Sequence, residues 1–114
     1  MADDSEQLEQ GRAAFNRGEY FLAHELWEEV WRETTDAEQR RCLQGLVQIA
    51  AAFHHLQKRR IRPATGLLRK GLEKLSHCDH HVDLLAGQVT RLLGELELPS
   101  AEVVAIPDLT QFRL

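Results

Sequence analysis

Phe15-Asn-Arg-Gly-Glu-Tyr-Phe-Leu-Ala-His-Glu-Leu-Trp-Glu-Glu-Val-Trp31 joins the end of one helical pattern to nearly the whole of a second. Its Asn16-Arg17-Gly18 step is a stop signal, because glycine takes the left-handed conformation that closes helices. Beyond the stop, Tyr20, Ala23, Trp27, Val30 and Trp31 recur at helical spacing and give the span from about Glu19 to Glu33 one apolar face. Before it, Leu8, Gly11 and Phe15 do the same for a helix from about Ser5 to Asn16. The stretch therefore predicts two helices joined by a tight turn.

The same period continues outward. Thr35-Asp-Ala-Glu38 has the form of a capping box, so a third helix is expected just after Thr35. It runs to about Arg59 and carries Leu43, Leu46, Val47, Ala50 and Phe53. Pro63 suits the first turn of a fourth helix, with Leu67, Leu68, Leu72 and Leu75 inward. Asp79 is the expected N-cap of a fifth, from Val82 to Glu97, striped by Val82, Leu85, Val89, Leu92 and Leu96. Pro99 and Pro107 keep residues 98–114 non-helical, as an extended strap over the bundle. An offset of about 41 residues lays Phe15 on Leu56, Tyr20 on Ile61, Ala23 on Ala64, Trp27 on Leu68 and Trp31 on Leu72, a weak helical repeat. The fold class is all-α: residues 1–114 form one bundle of about five helices built from antiparallel hairpins.

Composition narrows the function. A net charge of -4 argues against a general nucleic-acid binder. Acids gather between Glu19 and Glu38, whereas Lys58, Arg59, Arg60 and Arg62 collect where the third helix ends, as the helix dipole favours. The longest apolar run, Ile49 to Phe53, is far too short to span a membrane. The polar opening Met-Ala-Asp-Asp-Ser-Glu-Gln is no signal peptide, and two cysteines make no disulfide framework. Cys42 and Cys78 are accordingly expected to be reduced thiols in a cytoplasmic protein.

Several segments together resemble a known family. Phe15-Asn-x-Gly18-x-Tyr20-Phe21-x-Ala23-His24-Glu25-x-x-Glu28-x-x-Trp31, Leu43-Gln44-Gly45-Leu46 and Ala50-Ala51-Ala52-Phe53-His54 are similar to the bacterial and archaeal domain-of-unknown-function family numbered 309. The likeness covers about Leu8 to Leu75. It departs at Arg60, where a small or turn-forming residue is expected. It implies a small helical fold and no established activity.

The candidate site lies on the second and third helices. Tyr20, His24, Glu28 and Trp31 share a face, and Gln44, Gln48 and His54 or His55 interrupt the apolar third helix. If the two helices are antiparallel, Glu28 falls opposite Gln44, His24 opposite Gln48, and His54 near the Gly18 turn. The ligand-binding set is therefore Tyr20, His24, Glu28, Trp31, Gln44 and His54. His24-Glu-Leu-Trp-Glu28 lacks the second histidine of a zinc helix, and neither His54 nor His55 follows a glutamate at the spacing of a di-metal bundle, so no metal and no cofactor are expected. His77-Cys-Asp-His-His81 holds metal-ligand residue types without a standard spacing and reads as a polar loop. No nucleotide-binding or serine-hydrolase motif occurs.

The leading functional expectation is a non-enzymatic helical module that binds a small ligand or a protein partner at this polar site. The second is a small hydrolase or acid-base enzyme using His24 with Glu28. The third is a self-associating, homo-oligomeric structural protein whose polar seam only fixes helix register.

Overall fold

Five helices follow in order in the computed structural model, which describes residues 4–98 and Leu114: α1 (Asp4–Asn16), α2 (Tyr20–Glu33), α3 (Ala37–Gln57), α4 (Ile61–Lys74) and α5 (His80–Leu96). No strand occurs among the described residues. Each helix packs chiefly on its neighbours in the chain, α1 on α2, α2 on α3, α3 on α4 and α4 on α5. The protein is thus an all-α bundle of helical hairpins. Of the expected C-terminal strap only Leu114 falls within the described residues.

The turns explain the pairing. Gly18 has a φ of 83°, its N–H reaches Phe15 O at 3.0 Å, and the Glu19 N–H reaches Ala14 O at 2.9 Å. That double bond closes α1 and starts α2 without a loop. Arg59 repeats the device with a φ of 59°: its N–H bonds Leu56 O at 3.0 Å and the Arg60 N–H bonds His55 O at 2.9 Å. The left-handed position is therefore Arg59, while Arg60 is the N-cap of α4. Both α2 and α4 contain 14 residues, and they start and end at the same offset of about 41 residues. Ala23 and Ala64, and Trp27 and Leu68, are buried at equivalent places.

Small residues set how closely the helices approach. Gly11 lets the Trp27 indole lie flat on α1, where Nε1 donates to Leu8 O at 3.1 Å; a Cβ at this position would collide with the ring. Gly45 and Gly71 face each other where α3 crosses α4, and a Cβ on Gly45 would lie 3.0 Å from the Gly71 carbonyl. The Leu43-Gln44-Gly45 element is thus a helix crossing. Phe15, Tyr20, Trp27 and Phe53 form an aromatic knot, with Tyr20 edge-on to Phe15 and Phe53, each at 5.1 Å.

Three local expectations change. The cap of α3 is Asp36, not Thr35: its carboxylate accepts the Gln39 N–H at 2.9 Å, while the hydroxyl of neighbouring Thr34 turns back to Val30 O at 2.7 Å. Leu8, placed inward by spacing, is 36% exposed, because α1 packs through Gly11, Ala14 and Phe15. The cysteines are not free thiols. Cys42 and Cys78 are joined in a disulfide with their Cα atoms 6.0 Å apart. The antiparallel α3–α4 pair brings the start of one helix beside the end of the other, so residues distant in sequence become neighbours. The expected Asp79 cap does form, accepting the Val82 N–H at 3.0 Å.

Candidate functional site

Of the candidate residues, His24 and Glu28 meet directly, one helical turn apart on α2. His24 Nε2 lies 3.2 Å from Glu28 Oε2, and the other carboxylate oxygen receives Arg32 at 2.6 Å. Both members of the His–Glu pair are partly open to solvent, at 25% and 29% of their side-chain surface. Phe21 stands beside them at 54% exposure. Its ring centre is 6.0 Å from that of His24 and 5.2 Å from that of His54, which reaches across from α3. The result is an open strip of Phe21, His24, Glu28 and His54.

The remaining candidates are placed elsewhere. Tyr20 is 1% exposed within the aromatic knot. Trp31 is half-buried under Arg40, whose guanidinium sits 4.1 Å above the ring and donates to Trp31 O and Thr34 O at 2.8 and 3.1 Å. Arg40 thereby caps the carbonyl end of α2. Gln44 is half-buried on α3. Gln48 accepts Lys74 Nζ at 2.9 Å and so turns towards α4 rather than towards His24.

The electrostatics of the strip are those of a surface. Loss of water, then the charges of Lys58, His55, Arg60 and His24, push the His54 imidazole below its ordinary pKa of 6.5. Lys58, Arg59, Arg60 and Arg62 are exposed at this end of the bundle, and none pairs with a carboxylate among the described residues. On His24, Nε2 is held by Glu28 while Nδ1 is buried with no hydrogen-bond partner among the described residues. A general base must hold one ring nitrogen within reach of substrate. His24 holds neither there. No group of three or more metal-ligand side chains gathers among the described residues.

Open clefts lie on a different side, between α1, the second half of α2, α3 and the start of α5. Two adjoining cavities of about 370 and 190 Å³ share Leu8, Leu46, Asp79 and Val82, and the disulfide walls the larger. None of the six candidate residues lines either one. The residues that spacing did not bring forward are therefore Phe21, Arg40 and this cleft. Phe21 had a usable signal: it is a large apolar residue on α2 that lies off the buried Tyr20–Ala23–Trp27–Val30 stripe.

Fold and surface together define an all-α protein of stacked helical hairpins with an aromatic and histidine-rich strip on one hairpin. The chain belongs to the family described as a domain of unknown function, DUF309, whose model matches residues 8–67. An uncharacterized protein of Aquifex aeolicus (strain VF5) is 27% identical over 110 residues, a match that covers 96% of this chain and 33% of that protein. The chain thus spans about a third of the length of the curated relative it matches. No solved structure matches the chain.

Proposed function

We propose that this domain is a non-enzymatic binding module whose contact surface is the α2–α3 strip, with Phe21 as anchor and His24, Glu28 and His54 around it. One observation carries the reading: Phe21 is 54% exposed between two histidines, while Phe15, Tyr20, Trp27 and Phe53 are buried. Aromatic side chains ringed by polar groups are the residues that dominate protein interfaces. The partner is a protein segment that offers an apolar side chain to Phe21 and carboxylates to Lys58, Arg59, Arg60 and Arg62. A polyanion such as nucleic acid fits worse, because exposed Glu25, Glu29 and Glu33 run along the same helix. With Nε2 of His24 held by Glu28 and Nδ1 buried, neither nitrogen faces a substrate, which favours this reading over the acid-base enzyme.

A cytoplasmic location is part of the proposal. The Cys42–Cys78 bond opposes it, since that compartment keeps thiols reduced. The test is site-specific photocrosslinking in cells of the source organism, with the reactive group at position 21 and a control at the exposed Glu73 of α4. Position 21 should capture a defined protein that the control position does not, and Arg59→Glu with Arg60→Glu should weaken that capture. Equal labelling from both positions would sink the proposal.

A further inference from the structure

Leu114 is held by two side chains one helical turn apart on α1. Asn16 Oδ1 accepts the Leu114 main-chain N–H at 2.7 Å, and Asn16 Nδ2 donates to the main-chain oxygen of the same residue at 3.1 Å. Arg12 Nε donates to that oxygen at 2.6 Å. One carboxamide thus reproduces the paired bonds that a β-strand offers its neighbour, and a guanidinium reinforces the acceptor. Leu114 packs against the core and borders the smaller cavity with Leu8, Trp27 and Val82.

We infer that Arg12, Asn16 and the adjoining cleft form a peptide-binding site for an aliphatic residue of an extended segment, occupied in this structure by the chain's own Leu114. Three features distinguish a receptor from a simple packing contact. The three hydrogen bonds read only main-chain atoms, so they serve any residue other than proline in the same pose. Side-chain selection falls to the apolar cleft, which favours leucine-like groups. The cleft also continues from the Leu114 seat into a lobe of about 370 Å³ that Leu114 does not line. Its capacity therefore exceeds what its present occupant uses, leaving room for a further side chain of an incoming peptide. Leu8, exposed on α1 against its helical pattern, lines both lobes. None of the Phe21-strip residues lines this cleft, so the site does not depend on that strip.

An internal occupant lowers apparent affinity by the fraction of time it fills the site, so removing it must reveal the site. The probe is a fluorescent peptide, Gln-Phe-Arg-Leu, matching residues 111–114, titrated by anisotropy into the full chain. Leu114→Asp should bind it more tightly than the wild type, by about tenfold for a seat that is free about a tenth of the time. Leu114→Ala is the milder second variant and should shift binding in the same direction. Adding Asn16→Asp or Arg12→Ala to either should remove the gain. Arg12 and Asn16 lie at the partly exposed edge of α1, and a melting curve checks that each variant is folded. Equal binding by wild type and both Leu114 variants, binding indifferent to Arg12 and Asn16, or no binding by any form would each overturn the inference.

Discussion

Reducing the Cys42–Cys78 disulfide tests how the two ends of the α3–α4 hairpin are held. The cross-link spans 36 positions of sequence. Chain-entropy reasoning gives about 3 kcal/mol for a closed loop of about 15 residues and about 4.7 kcal/mol for about 100, so a loop of this size contributes about 3.5–4 kcal/mol. For a domain whose whole stability is about 5–15 kcal/mol, that is a large share. The bond also ties the start of α5 to α3, which matters because α5 packs chiefly on α4. Urea unfolding followed by the fluorescence of Trp27 and Trp31 reads the loss. At a slope of about 1.3–2.5 kcal/mol per molar urea, the midpoint should fall by about 1.5–3 M on reduction. Cys42→Ser with Cys78→Ser should reproduce the fall without reductant. An unchanged midpoint in protein whose thiols are shown to be reduced would refute the reasoning, as would two freely titrating thiols in fully oxidised protein.

The two left-handed turns predict opposite responses. Gly18→Val should cost about 1 kcal/mol or more by forcing a β-branched residue to a φ of 83°. Arg59→Gly should add about 0.5–1 kcal/mol, because glycine relieves the strain at a φ of 59° while giving back part of the gain as unfolded-state entropy; thermal melting that moves the two variants the same way would contradict the shared turn geometry. The His54 pKa lies below 6.5 in the folded protein, so the unfolded chain takes up the proton first. Its contribution is intact above pH 6.5 and is lost as pH falls from there through the folded value; His54→Gln should flatten that part of a stability–pH curve, and an unaltered curve would show that the imidazole is not held neutral. His24→Ala and Glu28→Ala should each cost less than about 1 kcal/mol with weak coupling in a double-mutant cycle, because water reaches both groups and Arg32 still neutralises Glu28. Strong coupling would make the pair a structural seam.

Helix positions were legible because helical order is written locally. The Gly18 turn, the Asp79 cap and the buried Tyr20–Ala23–Trp27–Val30 stripe all follow from spacing within a few residues. What spacing leaves undetermined is which face of a helix meets which neighbour. α3 lies between α2 and α4, so it has two buried sides, and Gln48 belongs to the one facing α4. Tyr20 shares its spacing with His24 yet sits in the knot, since residues four apart on a helix lie close in angle but can straddle the edge of the buried stripe. The disulfide depended on both kinds of information. Cys42 follows the start of α3 and Cys78 the end of α4, positions that an antiparallel hairpin necessarily brings together. Cysteine number alone carries none of that geometry. The Leu114 seat joins residues about 100 positions apart through main-chain atoms, which leave no mark in side-chain patterning.

Phe21 separates architecture from recognition most sharply. A buried aromatic at a helix crossing, such as Trp27 against Gly11, costs the fold about 3–5 kcal/mol when truncated to alanine. Phe21 is more than half exposed, so its removal takes little from the folded state. Covering the exposed part of such a ring removes on the order of 100 Å² from water, worth roughly 2–3 kcal/mol at the usual transfer coefficient. That is the scale of an interface anchor rather than of a stabilising contact. His24 lies near-parallel to the ring with centres 6.0 Å apart and His54 lies tilted at 5.2 Å, so polar groups border a ring that stays more than half exposed. A side chain that contributes little to folding and gains much on contact is best explained by what it meets outside the domain.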